Sequence, residues 1–189
     1  MKKGVFIGSL IVFLIALLWF VYTTNLEFIF YAVILLIALY VVYKLDKIYD
    51  FPSLGIVLFS LWGLSHMLGG SVYLFGTRLY DVMLIRLIGE PFFILRYDQA
   101  VHMLCYVAFG ILVYFIVKKH TKKMTFVPVL AVILAAVGIG AVNEMIEFVA
   151  AVFLASEKGV GGYYNNMLDL FFNFIGAIIG VLYSYSVKH

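Results

Sequence analysis

Charge is scarce in this chain. Only 12% of its 189 residues are Asp, Glu, Lys or Arg, and no stretch is long and polar enough to form a separate soluble domain. Cysteine is nearly missing: Cys105 stands alone, which excludes an internal disulfide. There is no Walker loop, no GxSxG elbow and no HExxH pair, so the usual scaffolds of P-loop, serine-hydrolase and zincin chemistry are excluded. What is present is apolar. Hydrophobic residues make up 66% and mean hydropathy is +1.12, against roughly 45–50% apolar usage in soluble domains. That is the composition of an integral membrane protein. The net charge of +3 lies largely in lysines near segment ends, which argues for orientation in a bilayer and against nucleic-acid binding.

Six apolar runs approach the ~20 residues a helix needs to cross a bilayer: 5–22, 28–43, 52–74, 98–117, 125–153 and 167–187. They predict an all-α polytopic bundle forming a single integral membrane domain over residues 1–189. The first run follows Lys2 and Lys3 like a secretory signal, but its exit, Val21-Tyr22-Thr23-Thr24-Asn25, lacks a small-x-small cleavage pattern, so it reads as a retained span. Residues 75–97 carry Arg78, Asp81, Arg86, Glu90 and Arg96 and are too charged for a span; an interfacial helix or re-entrant segment is expected. The connection 156–166, with Gly159, Gly161 and Gly162, reads as a mobile linker.

Alternate connections differ in cationic content. One set holds Lys2, Lys3, Lys44, Lys47, Lys118, Lys119, Lys122, Lys123 and Lys188, and the other holds Arg78, Arg86, Arg96 and Lys158. By the positive-inside rule, both termini then lie in the cytoplasm and the protein is a multi-pass component of a cytoplasmic (inner) membrane. Every arginine falls on the outer side, where its planar fork suits phosphate or carboxylate groups, although arginines also serve as plain headgroup anchors.

This topology assigns depths. At ~1.5 Å of rise per residue, His66 lies roughly 18 Å above the cytoplasmic end of its span, and His102 lies about 6 Å below Asp98 at an outer mouth. Glu144 and Glu147 approach the outer end of the fifth run, and Asp169 and Asn173 open the sixth. Seven polar side chains on four helices therefore share one outer-leaflet layer. Small residues accompany them in stripes, Gly63-His66-Gly70, Gly140-Glu144-Glu147-Ala151 and Asp169-Asn173-Gly176-Gly180, and such stripes should face the bundle interior.

Ionisable groups in a span are costly and need a partner or a task. His66, His102, Glu144, Glu147 and Asp169 are ligand types for a divalent transition metal such as zinc, manganese or iron, although the Glu-x-x-His pair of di-iron bundles is missing. Asp98, His102, Glu144 and Glu147 are candidates for acid and base catalysis on a membrane lipid, with Arg78, Arg86, Arg96 and Asn173 holding an anionic headgroup or envelope precursor. Two alternatives use the same residues: a proton-coupled carrier of small solutes, and interhelical hydrogen-bonded pairs that only fix packing.

The order of these motifs resembles the VanZ-like superfamily, and in particular its YjdF-type branch of inner-membrane proteins. The matching residues are Asp98 with His102, Glu144 with Glu147, and Asp169 with Asn173 and Gly176, within a region from about His66 to Gly180. Gln99 departs from the lysine usual after the aspartate in VanZ proteins, and Glu147 stands where glutamine is common; both departures favour the YjdF-type branch. The resemblance implies a role in the cell envelope, since the namesake is associated with tolerance of a lipoglycopeptide antibiotic that targets it.

Overall fold

The computed structural model describes residues 2–154 and 163–187. Lys158, Lys188, His189, the glycines 159, 161 and 162, and the side chain of Ala151 lie outside the described residues. Six helices are long and apolar enough to cross a membrane: α1 (Lys2–Tyr22), α2 (Leu26–Tyr49), α3 (Ser53–Ser71), α4 (Tyr97–His120), α5 (Phe126–Leu154) and α6 (Tyr163–Ser186). The chain is an all-α polytopic bundle.

Local chemistry sets the helix ends. The Asn25 side chain accepts a hydrogen bond from Phe28 N at 3.1 Å and so caps α2 after a three-residue turn from α1. At the other end of this hairpin, Lys2 pairs with Asp46 at 3.1 Å and Asp50 at 2.5 Å. Pro52 precedes α3, where its missing N–H costs nothing. Helix α3 crosses α1 through a Ser9–Ser60 hydroxyl contact of 2.7 Å.

Helix α4 is the central element, with buried residues on several faces, and its most extensive partner is α6. Lipid offers no hydrophobic drive for two helices to associate, so close backbone approach must supply the attraction. Glycines permit it: a Cβ at Gly176 would meet the Met103 carbonyl, one at Gly180 the Val107 carbonyl, and one at Gly110 the Ala177 carbonyl. The other stripe glycines also face inward, Gly63 against Phe13 and Gly70 against Phe28.

The two ends of the bundle differ in charge. Lys2, the α2–α3 corner at Asp50–Leu54 and the α6 end at Tyr183 and Val187 line one cavity, so the first and last helices begin and end on the same face. Tyr49 meets His120 at 3.2 Å, and Lys119 donates to the Ile48 carbonyl, which puts the end of α4 there too. The lysines of the described residues gather at this face.

The opposite face carries a feature the composition did not announce. The segment between α3 and α4 is not helical but forms two antiparallel hairpins, β1 (Tyr73–Leu74) with β2 (Thr77–Arg78) and β3 (Met83–Ile88) with β4 (Ile94–Arg96), joined by a short helical turn at Leu79–Asp81. The first hairpin closes on Phe75 and Gly76, both at positive φ (52° and 81°), the geometry of a two-residue primed turn. The third span accordingly stops at Ser71 rather than running on to Leu74. Two-stranded ribbons leave edge N–H and C=O groups unpaired, so they cannot lie within the hydrocarbon core. Yet Phe75 is fully exposed, and Leu84, Ile85, Leu87 and Ile88 are exposed together along β3. Apolar side chains on an edge-bearing ribbon place it at the headgroup level.

Two outcomes follow. Gly180→Leu should separate α4 from α6 and lower stability by about 1–3 kcal/mol in a detergent unfolding titration, whereas the same change at Gly8, where a Cβ meets nothing, should be nearly neutral. A spin label at Leu87→Cys should be relaxed by molecular oxygen as well as by an aqueous nickel chelate, and one at Lys122→Cys by the chelate alone; chelate-only relaxation at both would remove the ribbon from the interface.

Candidate functional site

The site is built on the first turns of α4. The fully buried Gln99 accepts from Leu95 N at 2.6 Å and Arg96 N at 3.2 Å, and its amide donates to the Phe93 carbonyl at 3.3 Å. This locks the β4–α4 junction, where Phe93 and Leu95 both hold positive φ. Asp98, next to Gln99, shares a face with His102 one turn on, with Asp98 Oδ1 and His102 Nε2 3.6 Å apart.

Helices α5 and α6 complete the surroundings of His102. Asn173 Oδ1 lies 3.1 Å from His102 Nδ1, and Glu144 Oε1 lies 3.7 Å from the same nitrogen. Gly140 lets α5 come this near, since a Cβ there would stand 2.9 Å from Asn173 Nδ2. Asn165 clamps two carboxylates, donating to Asp169 Oδ2 at 2.6 Å and Asp98 Oδ2 at 3.3 Å. Asn143 donates to Glu147 Oε1 at 2.8 Å. Among the described residues, two sets offer donor atoms within 4.8 Å of one another: Asp98, His102 and Asp169, and His102, Glu144 and Glu147.

The two sets compete for one imidazole, and hydrogen bonding decides between them. Asn173 Oδ1 can only accept, so His102 Nδ1 is the donor in that contact, which leaves Nε2 as the nitrogen turned toward Asp98. Metal-binding histidines are usually oriented by an outer acceptor on the second ring nitrogen, a place the Asn173 oxygen takes here. Two donors on one ion at ~2.1 Å stand roughly 3–3.5 Å apart. The 3.6 Å from Nε2 to Asp98 is long for a hydrogen bond but close to that spacing. Asp169 is 1% exposed, and its Oδ1 has no hydrogen-bond partner among the described residues. A buried carboxylate oxygen without a partner is costly. The residues present fit a divalent ion held by Asp98, His102 and Asp169, with Glu144 and Glu147 beside it.

A cavity of about 40 Å³ opens above this cluster, lined from the acidic side by Glu27, Asp81, Asp98 and Glu147, and from the basic side by Arg78 and Arg96. One water needs about 10–15 Å³ of such space, so the cavity has room for about three small oxygens.

The remaining candidates are distributed unevenly. His66 lines the cavity but belongs to neither donor set. It sits instead in an aromatic box of Phe28, Tyr31, Trp62 and Tyr80 with ring centroids 5.3–6.1 Å away. The Tyr80 hydroxyl lies 2.7 Å from both His66 Nδ1 and the His66 carbonyl. Burial raises the Tyr80 hydroxyl well above the ordinary tyrosine range, so it stays protonated and donates to the carbonyl, which leaves Nδ1–H to donate to the phenol oxygen and Nε2 as the ring's acceptor. Asn173 supports His102 from below and is not a cavity residue. Arg86 is exposed on β3 and does not reach the cavity. Glu27, Tyr31, Tyr80, Asp81 and Asn165 were not singled out as site residues by sequence reasoning. Asn165 falls on a helix because α6 starts at Tyr163, four residues before the apolar run begins.

The architecture is that of a polytopic membrane protein with an acidic and histidine-containing cluster buried near one face. Residues 5–189 match DUF2238, a family of predicted membrane proteins, and the chain belongs to that family. No match was found among curated proteins or among solved structures.

Replacing Asn165 by Leu removes the donor shared by Asp98 and Asp169. The expected loss is about 1–3 kcal/mol in thermal unfolding without divalent cation, partly restored when manganese is added. An unchanged midpoint would show that the clamp carries no stability.

Proposed function

We propose that this protein binds a divalent transition metal at Asp98, His102 and Asp169, and uses it to hold an anionic cell-envelope lipid headgroup at the outer face of a cytoplasmic membrane. The observation that carries the reading is the unpartnered Asp169 Oδ1 beside a histidine whose other nitrogen is committed to Asn173. Membership of a membrane protein family and the VanZ-like, YjdF-type order of Asp98, His102, Glu144, Glu147, Asp169 and Asn173 support placing it in the envelope.

One nitrogen and two carboxylates suit zinc, manganese or iron. An ion held by these residues would supply a Lewis acid toward a headgroup oxygen. The chain's residues supply the rest. Asn173 fixes the His102 tautomer, Asn165 keeps Asp98 and Asp169 together, and Glu147, held by Asn143, presents a carboxylate to the cavity for taking up a proton.

Elemental analysis of the purified chain should find about one equivalent of transition metal, falling roughly tenfold or more in Asp169→Asn and His102→Ala but less than about threefold in Glu144→Gln. Metal-free protein that couples solute uptake to acidification of liposomes, with the coupling lost in Glu147→Gln, would replace this reading by a proton-coupled carrier.

A further inference from the structure

We infer that Arg78 and Arg96 form a fork for a phosphate monoester, and that Asp81 is the internal carboxylate which such a phosphate displaces. The inference deepens the function proposed above and rests on that reading for charge balance, because four carboxylates and only two guanidiniums line the cavity.

The two arginines come from different hairpins and meet on one side chain. Arg78 Nε lies 3.5 Å from Asp81 Oδ2, and Arg96 Nη1 lies 3.4 Å from Asp81 Oδ1. Charge-assisted contacts of full strength are ~2.7–2.9 Å, so both are loose. Asp81 is 47% exposed on a three-residue helical turn, where an ion pair is held weakly. The guanidiniums are positioned by other means: Arg78 lies over the Tyr80 ring at 5.5 Å and Arg96 over the Phe93 ring at 5.3 Å. Arg96 also keeps a buried Nε with no hydrogen-bond partner among the described residues. The arrangement thus presents planar donors, one of them uncommitted, around a carboxylate whose two oxygens occupy the place of two phosphate oxygens.

Size and depth favour the same group. Space for about three small oxygens matches the three terminal oxygens of a monoester, with the rest of a headgroup lying outside the cavity. Two guanidiniums match the two charges of a monoester better than the single charge of a diester. The ribbons that carry the fork have exposed apolar residues, so the fork stands where lipid phosphates are found.

The test uses the full chain in nanodiscs with Mn²⁺, titrated calorimetrically with inorganic phosphate and with short-chain phosphatidic acid. Arg78→Gln and Arg96→Gln should each weaken phosphate about tenfold or more while Mn²⁺ affinity changes less than about threefold, and Arg86→Gln should change neither. Asp81→Asn should tighten phosphate several-fold, a gain that damaged folding cannot produce. Tighter binding of phosphatidic acid than of inorganic phosphate assigns the group to a lipid, and equal binding assigns it to a soluble phosphate. Arginine-dependent phosphate binding in a chain that takes up no Mn²⁺ supports the fork and rejects the metal reading. Phosphate affinity within about twofold of wild type in Asp81→Asn and in both glutamine variants, with Mn²⁺ bound, overturns the fork and leaves the metal reading intact.

Discussion

The contact on which the rest depends is the close crossing of α4 and α6. Gly176 and Gly180 lie against the Met103 and Val107 carbonyls, and Gly110 lies against Ala177, so the two backbones touch without intervening side chains. That spacing lets an amide as short as Asn173 reach His102. It also brings Asn165, two turns nearer the start of α6, within reach of Asp98. Larger residues at the crossing would part the Asp98–His102 pair of α4 from Asn165, Asp169 and Asn173 of α6, in a medium that offers no other polar partners.

Around this crossing the protein separates two kinds of cation. Lysines surround the ends of α1, α2 and α4 at one face, while the arginines of the described residues all belong to the hairpins at the other. Lysine at the first face meets carboxylates, carbonyls and aromatic rings of helix ends, as Lys2 does with Asp46, Lys119 with Ile48 and Lys47 with the Tyr43 ring. Arginine at the second face is laid over aromatic rings and aimed at Asp81. The first arrangement orients and staples; the second presents a shaped set of donors.

Much of this was readable before any coordinates. Hydropathy located six helices because each is long and nearly free of charge, and a shared depth for Asp98, His102, Glu144, Glu147, Asp169 and Asn173 needed only helical rise and alternating direction. The small-residue stripes named the faces that pack inward. What escaped notice has physical reasons. The Phe75–Gly76 turn puts a non-glycine residue at positive φ, so it carries only half of the usual primed-turn signature, and the exposed apolar residues of β3 hide strand alternation. Asn165 looked like linker because glycines precede it and no apolar run includes it. Glu27 falls between the first two apolar runs, and only the capped start of α2 turns it toward the cavity. Depth alone could not separate His66 from the donor sets, since its isolation comes from aromatic rings on α2, α3 and the hairpin connection. Register within the ribbons, which directs Arg78 and Arg96 inward and leaves Arg86 out, has no signature in composition.

The capped hairpin of α1 and α2 has a consequence for how the protein is made. Lys2 ties its two helices to each other through Asp46 and Asp50, so they can settle in the bilayer as a unit before α3 packs on them. The acidic cluster has no such independence. Asp98 and His102 lie on α4, two helices before the amides of Asn165 and Asn173, and until α6 is in place they lack those hydrogen bonds. The final helix is therefore the step that relieves the cost of inserting the earlier ones. A chain released before α6 would carry its most polar surface toward lipid, a feature by which membrane quality control can tell a truncated product from a finished one.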